Sequence, residues 1–343
     1  MLRGRIGDVW RALFTALGRY EPITSDRKDL VLSDRISFSG DVPVQIADGR
    51  HEQGRMVFRQ KRPECEEAQN LVVTPSGAGW AKGRLYECYS AGAPGIRNFF
   101  KDRHAAEAVP KGYHVQSAHK DTYGDWVSEY LCAILRQEKF DAPLFLPREF
   151  AQRDYVTRDL EALGVDWRPI ERPLKIKSAT VLRQQKHFVH FGPADVEILG
   201  KMFSLLAAEA KKGGVIYLSR KGEISEVAQR YYPHDIIEQV VEAHGGRIIR
   251  TAKATCEDYR RAAPHAETVI FDHGSAYYNS LRWPVRRAIE IVSDDWWNNA
   301  FLMLSDARGI RDYTIIRGDL GEQHVREALE RALARPLDQT GKT

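Results

Sequence analysis

The chain has 343 residues, of which 43% are hydrophobic and 29% are charged, as in ordinary soluble proteins. The 51 Lys and Arg residues against 47 Asp and Glu residues give a net charge of only +4. That excess is too small for a dedicated nucleic-acid-binding protein, so we expect no nucleic-acid partner. The length predicts two domains, and a chain this long folds without disulfides or metals.

Residues 1–20 carry apolar side chains at helical spacing with arginines between them. An amphipathic helix with Trp, Phe and Leu on one face and Arg on another can bind a membrane surface. The alternatives are docking on the protein's own core or on a twin subunit, as in a homodimer. No apolar run reaches the ~18 residues of a transmembrane helix, and no signal peptide is recognisable. We therefore expect a cytoplasmic protein, peripheral at the inner face of the membrane if this helix binds lipid.

Short β-like stretches precede residue 100, and helices alternate with strands from residue 122. The predicted strands are 29–32, 56–59, 71–74, 84–89, 142–146, 166–170, 178–182, 215–219, 247–250, 268–271, 288–292 and 312–316. The predicted helices are 123–137, 150–162, 195–212, 234–244, 256–263, 297–307 and 323–334, with a further helix after residue 274.

Alternating strands and helices predict parallel sheets that are covered on both faces. We expect an α/β protein with two doubly wound, Rossmann-like domains that face a cleft. The predicted boundaries are 1–20 for the amphipathic helix, 21–188 and 189–320 for the two domains, and 321–343 for a final helix and tail. Ligands of such sheets bind outside the carboxyl ends of the strands.

The first candidate site is the end of strand 215–219, where Ser219 is followed by Arg220 and Lys221. Arginine forms forked hydrogen bonds with phosphate oxygens, and lysine adds a point charge. These residues therefore indicate phosphate binding. The alternative is a solvated strand end.

The second candidate site follows strand 268–271, where His273, Gly274 and Ser275 lead into a helix that contains Asn279. Glycine lets a diphosphate approach the backbone, and a helix start offers N–H groups and the positive end of its dipole. His273 can donate to a phosphate or to a leaving-group oxygen. The alternative is a histidine that is satisfied within the strand end.

Three carboxylates complete the candidate set. Glu290 follows a short strand and is placed to accept hydrogen bonds from a ribose diol, or else is a surface glutamate. Asp125 and Glu129 are four residues apart at a helix start, so they share a face and can include a general base. The alternative for this pair is acid enrichment in a first helical turn, which the helix dipole favours.

The cysteines and histidines predict no metal site. Cys65, Cys88, Cys132 and Cys256 form no CxxC motif, so we expect free, mostly buried thiols in a reducing compartment. No carboxylate or cysteine lies near the histidine pair at 187 and 190 in the sequence.

The order of these motifs resembles glycosyltransferase family 61 over about residues 70–320. The resemblance is carried by Asp125-Trp126, Ser219-Arg220, His273-Gly274 with Asn279, Ile289-Glu290-Ile291, and the tail 297–316. The His-Gly, Asn and Glu stretch is its most specific part. Asp125 stands where the family usually has a histidine, whereas Glu129 matches the family's acidic position.

The resemblance implies a GT-B fold and an inverting, metal-independent transfer of a sugar from a nucleotide-sugar donor, with no further cofactor. The acceptor would be a polysaccharide or a lipid-linked glycan. Glu129, or else Asp125, would be the base in the first domain. The donor would be bound in the second domain by Ser219, Arg220, Lys221, His273, Gly274, Ser275, Asn279 and Glu290. Open alternatives are a polysaccharide pyruvyl or other group transferase, and a catalytically silent nucleotide- or glycan-binding subunit.

Overall fold

The computed structural model of the chain describes residues 29–31, 36–39, 49–52, 55–59, 64–81, 84–86, 107–116, 122–183, 193–204, 214–223, 232–262, 266–293, 297 and 300–337. The helix expected over residues 1–20, Cys88, and the tail after residue 337 lie outside the described residues. Within the described residues, none of the helices is long and apolar enough to cross a membrane.

The structure contains parallel and antiparallel strands together with α-helices. The strands are β1 (Asp29–Val31), β2 (Ile36–Ser39), β3 (Gly49–Glu52), β4 (Arg55–Arg59), β5 (Glu64–Val73), β6 (Gly79–Ala81), β7 (Arg84–Tyr86), β8 (Glu107–Gln116), β9 (Leu144–Pro147), β10 (Trp167–Ile170), β11 (Leu174–Arg183), β12 (Val215–Ser219), β13 (Arg247–Arg250), β14 (Thr268–Asp272), β15 (Arg287–Val292) and β16 (Asp312–Arg317). The helices are α1 (Tyr123–Asp125), α2 (Cys132–Arg136), α3 (Arg148–Ala151), α4 (Asp154–Leu163), α5 (Pro193–Ser204), α6 (His234–Ala243), α7 (Cys256–Ala262), α8 (Ala300–Ala307) and α9 (Glu322–Ala334). A π-helical turn, Trp126–Leu131, joins α1 to α2, and a 3₁₀ segment, Ser275–Arg282, follows β14. The α/β class expected from the sequence is confirmed.

The chain divides into two compact units, Met1–Arg27 with Lys61–His190, and Lys28–Gln60 with Phe191–Thr343. The sequence analysis assigned residues 21–60 to the first domain. The structure instead places β2 in the second unit, because β2 pairs in parallel with β16 at the edge of its sheet. Helix α9, predicted as a separate terminal segment, also belongs to the second unit and contributes to its core.

The first unit contains a seven-stranded sheet in the order β10-β9-β8-β11-β5-β6-β7. It is parallel from β10 to β11 and antiparallel from β11 to β7. A doubly wound sheet was expected here, so that expectation holds for only part of the unit. The antiparallel part arises because β5 and β11 pair along nine registered positions, and β6 and β7 extend that pairing as neighbouring strands.

The second unit contains a six-stranded sheet in the order β13-β12-β14-β15-β16-β2, and every neighbouring pair is parallel. Strands β14 and β15 are buried along their whole length, as central parallel strands are. On one face, Ile270 packs in a core shared with α6 and α9. On the other face, Phe271 stacks on Tyr277 and contacts Phe301 of α8. Helical segments therefore cover both faces of this sheet.

The cysteines differ in part from the sequence expectation. Cys132 is buried, and burial raises the pKa of its thiol to about 12. Cys65 and Cys256 are exposed, so the expectation of mostly buried thiols is wrong for these two. Cys65 is the second residue of β5, and Cys256 is the first residue of α7. Neither residue belongs to the buried core.

Candidate functional site

The strand order of the second unit defines a crevice where ligands bind in sheets of this kind. From β12 the chain first builds β13 on one side, and then β14, β15 and β16 on the other. The direction of winding therefore reverses between the neighbouring strands β12 and β14. Ligands of open parallel sheets bind at such a switch point, beyond the carboxyl ends of the two strands. Here those ends are Ser219 and Asp272.

Arg220 joins the two strand ends. Its backbone N–H donates to Asp272 Oδ2 at 2.8 Å, and its Nη1 donates to the His273 carbonyl at 3.1 Å. Its Nε donates to Glu223 Oε2 at 2.6 Å. Burial opposes the charge on the guanidinium, but the Glu223 carboxylate outweighs that effect and raises the pKa of Arg220. The cation is thus held at the switch point in a defined orientation.

The guanidinium of Arg220 lies directly against Gly274. A Cβ atom at position 274 would come within 3.2 Å of Arg220 Nη1 and 3.4 Å of its Cδ. The backbone at this position is extended, with φ 167°, and any residue can adopt that conformation. Glycine is therefore needed here because it leaves space for the arginine side chain, and not for its backbone freedom. Ser275 is half-buried at the start of the 3₁₀ segment, whose first N–H groups have no partner within the segment.

Glu290 holds the ring of His273. Its Oε1 lies 2.5 Å from His273 Nδ1, and its Oε2 accepts from Trp297 Nε1 at 3.1 Å and from the Tyr313 hydroxyl at 2.8 Å. Burial, with the Glu290 charge, raises the pKa of Tyr313 well above its usual value, which keeps that hydroxyl a donor. His273, which is itself buried, therefore carries a proton on Nδ1 that Glu290 accepts.

The burial of Glu290 changes the role expected for it. The residue is 0% exposed, and both carboxylate oxygens accept hydrogen bonds from neighbouring side chains. We therefore assign Glu290 to positioning His273 and not to binding a ribose diol. Asp272, which sequence reasoning missed, has a comparable position, since its two oxygens accept from Tyr217 and from the backbone of Arg220. The sequence signal that could have identified Asp272 is its position as the acidic residue that ends an otherwise apolar strand.

Two predicted donor-binding residues make other contacts. Lys221 Nζ lies 2.5 Å from Asp235 Oδ1 and 3.3 Å from Glu238 Oε2, and the hydrogen bond to Asp235 raises the pKa of this lysine. Asn279 Nδ2 donates to the Ala276 carbonyl within the 3₁₀ segment. The lysine is therefore directed toward α6, and the asparagine braces its own segment.

Ser219 is buried, and its Oγ accepts from the backbone N–H of Lys221 at 3.3 Å. This serine shapes the turn after β12. Of the predicted donor site, the structure thus brings together Arg220, His273, Gly274 and Ser275.

In the first unit, Asp125 closes a capping box. Its Oδ2 accepts from the Thr122 backbone N–H at 2.8 Å and from the Thr122 hydroxyl at 2.9 Å, and the same hydroxyl accepts from the Asp125 N–H. This reciprocal arrangement satisfies two N–H groups at a helix start. For Asp125, this geometry agrees with the alternative given in the sequence analysis, an acidic residue in a first helical turn.

Glu129 lies within the π-helical turn Trp126–Leu131 and is 0% exposed. Trp126 Nε1 donates to Asp159 Oδ2 at 2.9 Å, which fixes this turn against α4. Short π-helical turns inside helices are rare and occur frequently at functional sites. The turn therefore singles out the helix that carries Glu129, although no surface of this carboxylate is open to solvent.

An open groove of about 670 Å³ lies along β13, the edge strand of the second sheet. Basic and acidic side chains line it, among them Arg247, Arg250, Lys253, Arg261, Glu242 and Asp258. None of the predicted site residues contributes to this groove. The switch-point site is therefore assigned from converging side chains, not from the size of a cavity.

Across the described residues, no cluster of three or more His, Cys, Asp or Glu side chains is arranged to hold a metal ion. No protein-family model matches the chain, and no curated protein matches it significantly. The site is therefore interpreted from its own geometry and chemistry.

Proposed function

We propose that the second unit binds the diphosphate of a nucleotide-sugar donor at the switch point between β12 and β14. We further propose that the protein is a GT-B-type inverting glycosyltransferase, similar to family 61. One observation carries the proposal. The Arg220 guanidinium lies against Gly274 and bonds to the His273 carbonyl where ligands of parallel sheets bind.

The chemistry of this site suits a departing diphosphate. In the proposed reaction, an acceptor oxygen bonds to the anomeric carbon while the bond from that carbon to the donor phosphate oxygen breaks. Negative charge then develops on the nucleoside diphosphate. Arg220 and the N–H groups at Ser275 can stabilise that charge, since preorganised donors act most strongly where charge develops, and His273 positions Arg220 through its carbonyl.

The acceptor, a polysaccharide or lipid-linked glycan, must lose the proton of its attacking hydroxyl. We assign that proton to the carboxylate of Glu129, because Asp125 is engaged with Thr122 in a capping box. Positive groups of the protein supply the field at the phosphates, so the proposed reaction requires no divalent cation.

The burial of Glu129 favours a second candidate. A carboxylate without exposed surface does not meet an acceptor hydroxyl in this conformation. A protein that binds the nucleotide sugar but lacks an accessible base would be a catalytically silent binding subunit. The two candidates share the donor site and differ in turnover.

Calorimetric titration with uridine, guanosine, adenosine and cytidine diphosphates tests the donor site. We expect wild type to bind one of them, and Arg220→Gln to bind it on the order of tenfold more weakly, since a charge-assisted hydrogen bond is lost. Arg286→Gln is the matched control, because Arg286 is exposed and pairs with Glu267 at 2.9 Å. Absence of nucleotide binding, or equal binding by Arg220→Gln, would overturn the proposal. A pyruvyl transferase, whose donor lacks a nucleotide, would give the first of these results.

Turnover separates the two candidates. We expect transfer from the matching nucleotide sugar to survive excess chelator, and Glu129→Gln to lower it by about 10²–10⁴-fold while leaving nucleotide affinity unchanged. Strict dependence on Mg²⁺ or Mn²⁺ would contradict the metal-independent reaction. Nucleotide binding without turnover of any donor would identify the silent subunit.

A further inference from the structure

A second imidazole is held at the switch point by a buried carboxylate. His234 begins α6, and its Nδ1 lies 3.3 Å from Asp272 Oδ2 and 3.0 Å from the Tyr217 hydroxyl oxygen. The Tyr217 hydroxyl donates to Asp272 Oδ1 at 2.8 Å. This arrangement parallels the one in which Glu290 holds His273.

The hydrogen bonds fix the proton on the His234 ring. The Tyr217 proton is directed to Asp272, so the tyrosine oxygen and the Asp272 carboxylate are both acceptors toward Nδ1. Nδ1 therefore carries the hydrogen, and Nε2 is the ring nitrogen that a ligand can contact. The side chain of His234 is 21% exposed, and no described residue bonds to its Nε2.

His234 is linked through Asp272 to the turn that carries the cation of the proposed site. Asp272 Oδ2, the oxygen nearest to the His234 ring, also accepts the backbone N–H of Arg220 at 2.8 Å. One buried oxygen thus links the turn that carries Arg220 to the imidazole of α6. The Arg220 side chain in turn contacts His273.

We infer that His234 is a second phosphate-binding imidazole of this site, which donates from Nε2 to an oxygen of a diphosphate held by Arg220. The inference rests on the proposed function and adds a residue that the sequence motifs did not indicate. Neutral Nε2 is an acceptor and cannot donate to a phosphate oxygen. In the complex, Nε2 must therefore be protonated together with Nδ1, and Asp272 supplies the counter-charge.

The inference predicts a proton-coupled affinity. Within the part of the chain that the structure describes, the titratable and charged groups around His234 are Asp272 of β14, Tyr217 of β12, Arg220 of the following turn, and Tyr232 and Asp235 of its own segment. His234 is the imidazole in this set. Its removal should therefore reduce proton uptake without removing the Arg220 contact.

The experiment is calorimetric titration of the full chain with inorganic pyrophosphate, in two buffers that differ in ionisation enthalpy. We expect wild type to take up more protons on binding than His234→Gln. We expect that variant to bind on the order of tenfold more weakly at pH 6 and nearly as well as wild type at pH 8. His234→Asn, whose amide can still donate to Asp272, should show the same loss as His234→Gln. Agreement between the two variants would attribute the loss to the missing imidazole and not to a folding defect of one variant.

His244→Gln is the matched control, because His244 is exposed at the end of the same helix and its ring bonds to the Val240 carbonyl, away from Asp272. It should keep the proton uptake of wild type. If Arg220→Gln loses pyrophosphate binding while both His234 variants match wild type in affinity and proton uptake, the inference is overturned and the proposed function stands. If wild type binds neither pyrophosphate nor any nucleoside diphosphate, both fail.

Discussion

The guanidinium of Arg220 and the backbone of Gly274 are in direct contact, with no room between them for a side chain. Gly274→Ala should therefore shift the guanidinium by a few tenths of an ångström and weaken its 3.1 Å bond to the His273 carbonyl. We expect the affinity for the bound nucleoside diphosphate, measured by calorimetry, to fall by about threefold to tenfold. The backbone at Gly274 is extended, so the free energy of unfolding should change by less than about 0.5 kcal/mol.

Gly200→Ala provides the control for this change. A Cβ atom at position 200, in α5, meets no atom within 4 Å. That variant should keep full affinity and gain up to about 1 kcal/mol of helix stability. Equal affinities for both alanine variants would show that the Arg220–Gly274 contact does not shape the binding site.

Glu290→Gln should destabilise the second unit. The carboxylate accepts from His273, Trp297 and Tyr313, whereas an amide presents one acceptor oxygen and one NH₂ group. With the amide oxygen toward His273, the NH₂ group faces the indole donor of Trp297. With the NH₂ group toward His273, the ring must move its proton to Nε2 in order to accept, so we expect a cost of about 1–3 kcal/mol in the first case. Urea unfolding measures this loss, and nucleotide affinity should fall with it because His273 loses its support.

Glu267→Gln is the comparison for that prediction. Glu267 is partly exposed and pairs with Arg286 at the surface, where an ion pair contributes at most about 1 kcal/mol. Tyr313→Phe should have an intermediate effect, because Glu290 keeps its other two donors. Unfolding of Glu290→Gln at the urea concentration of wild type would contradict the assignment of Glu290 as the support of His273.

The sequence located most of the second sheet because its strands are marked locally. Strands β12 and β13 were predicted at the bounds observed, since each is a short run that a glycine pair precedes. The acidic support of His273 could not be predicted. Two of the groups that donate to Glu290 belong to Trp297 and Tyr313, which follow it by 7 and 23 positions in the sequence. Tyr313 comes close to Glu290 only through the pairing of β15 with β16.

Strand β8 was not predicted, because Pro110 and several polar residues interrupt its pattern. Proline lacks a backbone N–H and is excluded from the middle of a sheet. Here β9 begins to pair with β8 only at Tyr113, so Pro110 has β11 on one side and no registered partner from β9 on the other. The sequence alone does not show where a neighbouring strand begins, and the strand was missed for that reason.

The capping box at Thr122 and Asp125 predicts a coupled loss of stability. Thr122→Ala and Asp125→Ala should each lower the free energy of unfolding by about 1 kcal/mol. The double variant should lose clearly less than the sum, because both changes remove the same reciprocal hydrogen bonds. Urea unfolding of the four proteins measures this coupling. If Asp125→Ala abolishes sugar transfer while Thr122→Ala preserves it, Asp125 is the base and Glu129 is not.

The ring of His114 is buried between the Gly77 carbonyl, 3.1 Å from Nε2, and the Phe145 carbonyl, 3.3 Å from Nδ1. Burial lowers the pKa of His114 below its usual value of about 6.5, although both carbonyls act in the opposite direction. Below pH ~6.5 the unfolded chain therefore binds a proton at this residue that the folded chain does not. As the pH is lowered through that window, the free energy of unfolding should therefore decrease. His114 contributes at most about 1.4 kcal/mol per pH unit to that decrease.

Urea unfolding between pH 8 and pH 5 tests this titration with His114→Gln, whose amide can still bond to a carbonyl but does not titrate. The difference in unfolding free energy between wild type and this variant should be constant above pH ~7 and shrink as the pH falls, because only the wild-type chain gains a proton at position 114 when it unfolds. His244→Gln, which alters an exposed histidine, should keep the slope of wild type. A difference between wild type and His114→Gln that stays constant down to pH 5 would show that His114 titrates alike in the folded and unfolded chains.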